Sequence, residues 1–325
     1  MSNMTNEPAR GRGLVFPAAV LCLFFSASAG LIYQLVWTRY LGLLIGHTAY
    51  AIVAVLVTFI GGLALGNACL GRIADKLRRP LAFFALLQII IGIYALAFPS
   101  IFEIAHGAYL AMATGAASGN ITILLLQFVM PLALLLIPSV LMGGSLPVLT
   151  RMLSRSLCEV QNRVSTLYCI NSLGAAVGIG AAEFWLIHGV GLELSIFFAS
   201  AINLTMGVIA LTISGYMRED AGATPADTEL PDTAASSETF SPSEIRLAMI
   251  GIGISGLAAM MYGIAWMRLL ALTMGSSSGA FAITLMTFIL GIAIGSWLIA
   301  RLKNLPKDMN CFAWMQIGIG ASIIL

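Results

Sequence analysis

Charge is what this chain has least of. Asp, Glu, Lys and Arg make up 9% of its 325 residues, against about one quarter in an ordinary soluble domain. The balance is near neutral, at +2, and nucleic-acid binding has no support. Histidine is also scarce: His47, His106 and His188 lie far apart without metal-ligand spacing and read as helix-end or loop residues. The five cysteines, Cys22, Cys69, Cys158, Cys169 and Cys311, are odd in number, show no C-x-x-C spacing and sit in or beside apolar runs. They read as apolar filler rather than disulfides or metal ligands. No Ser-His-Asp set, carboxylate pair or phosphate loop occurs in a water-exposed stretch. The glycines of GIGIS at 251–255 and Gly318 and Gly320 lie in membrane helices, with no preceding strand and no acidic residue at the expected distance. No catalytic centre, metal or cofactor is expected from these residues.

What the chain does have is apolar length. Hydrophobic residues make up 59% and the mean hydropathy is +0.97. Runs of the roughly 20 residues that cross a bilayer can be read at about 14–38, 49–71, 81–99, 121–148, 166–187, 193–215, 247–271 and 279–300, and a ninth begins near Cys311. Arg10, Arg12 and SASAG at 26–30 imitate a cleaved secretory signal. Cleavage is rejected, because the apolar run continues through LIYQLVW and the same kind of sequence returns in mid-chain.

That return is a repeat. Shifting residues 26–72 by 229 positions places Ser26 on Ser255, Tyr33 on Tyr262, Trp37 on Trp266, Arg39 on Arg268, Gly62 on Gly291, Gly66 on Gly295 and Arg72 on Arg301. About a third of the positions are identical without a gap, far more than shared greasiness gives. The expected fold is therefore an all-α, polytopic membrane protein with a duplicated, transporter-like helical bundle. A cytoplasmic tail covers 1–13, a first six-helix unit 14–216 and an incomplete second unit 245–325. Between the units lies 217–244, with REDAGATPADTELPDTAASSETFSPSE from 218, which reads as a disordered cytoplasmic linker or an acidic partner-docking segment.

The basic residues set the orientation. Arg10 and Arg12, then Arg72, Lys76, Arg78 and Arg79, then Arg151, Arg155 and Arg163, and finally Arg301, Lys303 and Lys307 fall on one side, and the opposite connections near 100–119, 188–192 and 273–278 carry no Lys or Arg. The N-terminus and the linker are thus read as cytoplasmic.

Within the oily run YQLVWTRYLGLLIGH at 33–47, Arg39 comes near the outer end of helix 1, beside Trp37 and Tyr40 in the aromatic interfacial zone. It reads as a snorkelling anchor, duplicated at Arg268, or as a buried pair or solute contact. Glu183, in AAEFWLIHG, falls at similar depth on the fifth crossing and is its candidate partner; a hydrated outer vestibule is the alternative. Glycine pairs at 42/46, 62/66, 174/178 and 291/295 place small residues on one helix face for close backbone approach. Gln34, Asn67, Gln88, Gln127 and Asn171 are polar residues expected to bind neighbouring helices.

SAGLIYQLVWTRYLGLLIG, FIGGLALGNACLGRIADKLRRP, SVLMGGSLPVLTRML and LYCINSLGAAVGIGAAEFWLIHGVG resemble the membrane part of bacterial fused spermidine synthase-like proteins. In that family a transporter-like bundle is joined to a C-terminal aminopropyltransferase-like domain. The resemblance runs from about residue 14 to the end. The loop carrying Gly71, Asp75, Lys76, Arg78 and Arg79 also resembles the helix 2–3 loop of major facilitator transporters. The resemblance implies a multi-pass protein of the bacterial inner membrane that anchors or cooperates with a synthase-like domain. Alternatively it is a major facilitator-like transporter of a polyamine or other small metabolite. Expected partners are the lipid bilayer, such a metabolite, and a synthase-like domain or a second copy. Glu183 and His188 depart from the family, which commonly has small or apolar residues and a proline there, and this chain has no counterpart of the synthase-like domain.

Overall fold

The computed structural model describes residues 10–45, 49–74, 76, 77, 79–113, 121–153, 157–220, 241–275, 277–301 and 309–324. Among them there are helices and no strands, as a bilayer demands of a chain that must satisfy its backbone internally. The helices are α1 (Arg10–Ile45), α2 (Ala49–Ala74), α3 (Pro80–Ala113), α4 (Ile121–Gly143), α5 (Ser145–Leu153) and α6 (Leu157–Ala181). A π-turn at Ala182–Leu186 joins α6 to α7 (Ile187–Gly189), and then come α8 (Gly191–Asp220), α9 (Pro242–Met274), α10 (Ser277–Arg301) and α11 (Met309–Ile324). Eight of the resulting segments are long and apolar enough to span a membrane, α4 and α5 together forming one of them. The chain is a multi-pass membrane protein in contact with lipid.

Several helices outrun the apolar stretches that announce them. α1 reaches Ile45, so Arg39 lies inside the span Phe16–Leu44, near its end. α3 carries Pro99 within it and continues to Ala113. The fourth span breaks at Gly144, between α4 and α5. Of the linker, 221–240 falls outside the described residues, while α8 occupies 217–220 and α9 begins at Pro242.

Glycine decides which helices touch. A methyl group added at Gly62 would strike Ser139, and one at Gly66 the Val140 carbonyl, so α2 and α4 pack backbone to backbone. On α6, Gly174 and Gly178 meet the Phe24 and Ser28 carbonyls of α1 in the same way, and Ser28 Oγ donates to the Gly174 carbonyl at 2.7 Å. These contacts climb together, so α1 and α6 run parallel. Gly92 on α3 faces Leu204 of α8, and Gly207 of α8 faces Ile89 of α3, so that pair is antiparallel. α10 packs on α6 and α9 packs on α10.

Aromatics fill the middle of the six-span bundle. Tyr33 and Trp37 stack with centroids 5.2 Å apart, and Trp37 continues onto Tyr94 and Phe98 of α3. Trp37 is wholly buried and Tyr40 packs edge-on against Phe98 and Phe102. The expected interfacial belt at Trp37 and Tyr40 is therefore a core stack: α1 is the central helix, and aromatics one turn apart face its neighbours rather than the headgroups.

Candidate functional site

The site begins with an interruption in a helix. From Ala182 to Leu186 the backbone loosens into a π-turn, in which the Ile187 N–H bonds to the Ala182 carbonyl. Such a turn admits an extra residue and rotates the helical turn after it, and it recurs at functional positions. His188 follows just after it, with its Nδ1 2.6 Å from the Glu183 carbonyl. Because a carbonyl only accepts, Nδ1 carries the proton. Gly191, with φ +86°, then turns the chain into α8 in a conformation that favours glycine.

The Glu183 side chain points inward, onto α1. Arg39 Nη2 lies 2.8 Å from Oε1 and 2.8 Å from Oε2, with the two side chains 22% and 9% exposed. Taking two charges out of water costs more than a surface pair returns, so such a pair persists only with good geometry. The pair is held at 2.8 Å. It lines a small cleft with Leu35 and Thr38 of α1, Ile52 of α2, and Ser278 and Phe281 of α10. Next to it opens a second cleft of about 80 Å³, lined mostly by apolar side chains of α2, α9 and α10. Ile52 and Phe281 belong to both walls, so the two clefts lie side by side.

The other sequence candidates lie elsewhere. Arg268 is exposed on α9, with no acidic partner among the described residues. Gln34 is buried on α1, where Thr38 Oγ1 donates to its carbonyl at 2.6 Å. Asn67 is exposed on α2 and Asn171 half-buried on α6. Gly71 packs near Pro147, Lys76 and Arg79 sit in the connection before α3, and Asp75 and Arg78 lie outside the described residues. Among the described residues no group of three His, Cys, Asp or Glu could hold a metal.

One polar cluster was only half visible in sequence. Ser26 Oγ donates to Gln88 Oε1 at 2.8 Å, and Gln88 Nε2 donates to Ser145 Oγ at 3.0 Å, where α5 begins after the Gly144 break. Gln88, wholly buried, thus ties α1, α3 and α5. The second unit carries the same bond: Ser255 Oγ donates to Gln316 Oε1 at 3.0 Å, from α9 to α11. The separation is 62 residues in the first unit and 61 in the second. Ser255 is the repeat mate of Ser26, so aligning the third helices with a one-residue gap would have revealed it.

Comparison with known protein families, curated proteins and solved structures gives no match to this chain.

Proposed function

We propose that this multi-pass chain is the helical bundle of a small-metabolite transporter, in which the first unit and α9–α11 rock about the cleft at Arg39 and Glu183. One observation carries the reading. The ion pair is not sealed inside the six-span core but lines a cleft whose far wall is α10, a helix of the second unit. Ionisable residues inside membrane spans are expensive and mark solute or ion paths when they face a cavity. Duplicated transporters place such sites where their repeats meet. The repeated Ser–Gln bond supports two similarly built halves.

The one-sided basic residues support a cytoplasmic N-terminus, which puts the pair toward the outer side, and the resemblance of the quoted segments supports the bacterial inner membrane. The second reading, a bundle that anchors an aminopropyltransferase-like domain, rests on the resemblance of the four segments quoted above. Under that reading the polyamine belongs to the soluble domain, and the cleft has no work to do.

Spin labels at Val190 and Met274, exposed at the outer ends of α7 and α9, test the difference in a background with the native cysteines replaced. Rocking predicts two distance populations by pulsed electron resonance in nanodiscs, with weights that shift with pH or added solute. A single narrow distance unchanged by either would leave the anchor reading.

A further inference from the structure

Resting on the transporter reading, we infer that the cleft binds a small monocarboxylate with an apolar body, and that Glu183 takes up one proton for each carboxylate that Arg39 accepts. Arg39 spends a single terminal nitrogen on both oxygens of Glu183. A guanidinium has five donors, and no described residue bonds to Nη1 or Nε. Arg39 is partly exposed and lines the cleft. The ligand chemistry that fits an unused planar fork is a carboxylate.

Charge counting then fixes the proton. Arg39 and Glu183 together are neutral, and a second carboxylate would leave one net negative charge in a poorly hydrated site. Protonation of Glu183 restores neutrality: a proton from outer-side water goes onto a Glu183 oxygen, the Arg39 hydrogen bonds pass to the incoming carboxylate, and the total charge is again zero. The other ionisable groups around Glu183 do not offer the same exchange. His188 on α7 already holds the Glu183 carbonyl. Glu193 opens α8 and Glu103 lies on α3, while α2 and α10 present Ile52, Ser278 and Phe281.

The apolar body is set by the neighbouring cleft. From Ile52 its wall runs along α2 to Ile60, two turns or about 12 Å, with Met260 and Phe288 opposite. A carboxylate at Arg39 would place an attached ring or short chain against that wall.

The test uses the full chain in nanodiscs with three probes: 3-phenylpropionate, acetate and 3-phenylpropylamine. Calorimetry reads binding, and a pH dye in weak buffer reads proton uptake. We expect 3-phenylpropionate to bind at least about tenfold tighter than acetate, with no binding of the amine and about one proton taken up per ligand. The dissociation constant should rise about tenfold per pH unit where Glu183 is ionised. Glu183→Gln should bind without proton uptake and without pH dependence, Arg39→Lys should bind at least about tenfold more weakly, and His188→Asn should keep the uptake. Binding without proton uptake in the unmodified chain, uptake persisting in Glu183→Gln, loss of uptake in His188→Asn, preference for the amine, or no binding would each overturn the inference. Rocking without carboxylate binding would sink this inference alone, whereas binding without rocking would sink the transporter reading alone.

Discussion

At the scale of single residues, the Arg39–Glu183 pair governs what substitution should do. Removing one partner strands a charge in low dielectric, so Arg39→Ala and Glu183→Ala should each destabilise the bundle by several kcal/mol, about 3 to 5 by the measure of broken buried pairs. The double variant strands no charge and should be less damaged than either single one, a coupling of several kcal/mol. Unfolding in nanodiscs measures all three, and strict additivity would reduce the pair to two independent anchors. Gln88→Leu leaves Ser26 and Ser145 without their partner and should cost about 0.6–1.7 kcal/mol by the same unfolding assay. A neutral result would mean that the serines satisfy each other or their own helix carbonyls. Arg39 and Glu183 were legible in the sequence because charge is rare there, so each one inside a span stands out. Trp37 misled for the opposite reason: an aromatic near a span end has the same composition whether it faces headgroups or a neighbouring helix, and only packing separates the two.

At the scale of helices, apolar runs gave the number and order of spans but not their lengths. A run read from hydropathy stops at the first polar cluster or proline, whereas α3 carries Pro99 internally because a proline in a membrane helix needs only local re-pairing of freed carbonyls. The π-turn at 182–186 had no such signal, since it is a register change and not a composition. The glycine pairs were legible as a pattern, but the pattern does not say which faces are occupied. Gly66 abuts the Val140 carbonyl, while Gly295, its repeat mate, has open space where a Cβ would go. Gly66→Ala should therefore cost about 1–3 kcal/mol through overpacking of α2 on α4. Gly295→Ala should be neutral or stabilising by up to about 1 kcal/mol, because alanine is the better helix former. Paired thermal melts of the two variants decide this, and equal losses would mean that the α10 face is as tightly covered as that of α2.

At the scale of the whole molecule, the geometry makes the two ends of the bundle chemically different. Parallel packing of α1 with α6, and of α2 with α4, puts Arg72, Lys76, Arg79, Arg151 and Arg301 at one end. Glu103, His106, His188 and Glu193 fall at the other. The site sits at the acidic end, so its access depends on which way the bundle is inserted. Lys and Arg near span ends favour the cytoplasmic side, whereas Asp and Glu contribute little to that choice. Val190, 49% exposed after α7, and Tyr216, 73% exposed near the end of α8, lie at opposite ends of one span. With the native cysteines replaced, Val190→Cys in intact cells should react with a membrane-impermeant maleimide, and Tyr216→Cys should react only after the membrane is opened. The reverse pattern would place the Arg39–Glu183 cleft on the cytoplasmic side. A proton taken up by Glu183 would then come from the cytoplasm, and the same exchange of proton and carboxylate would serve efflux instead of uptake.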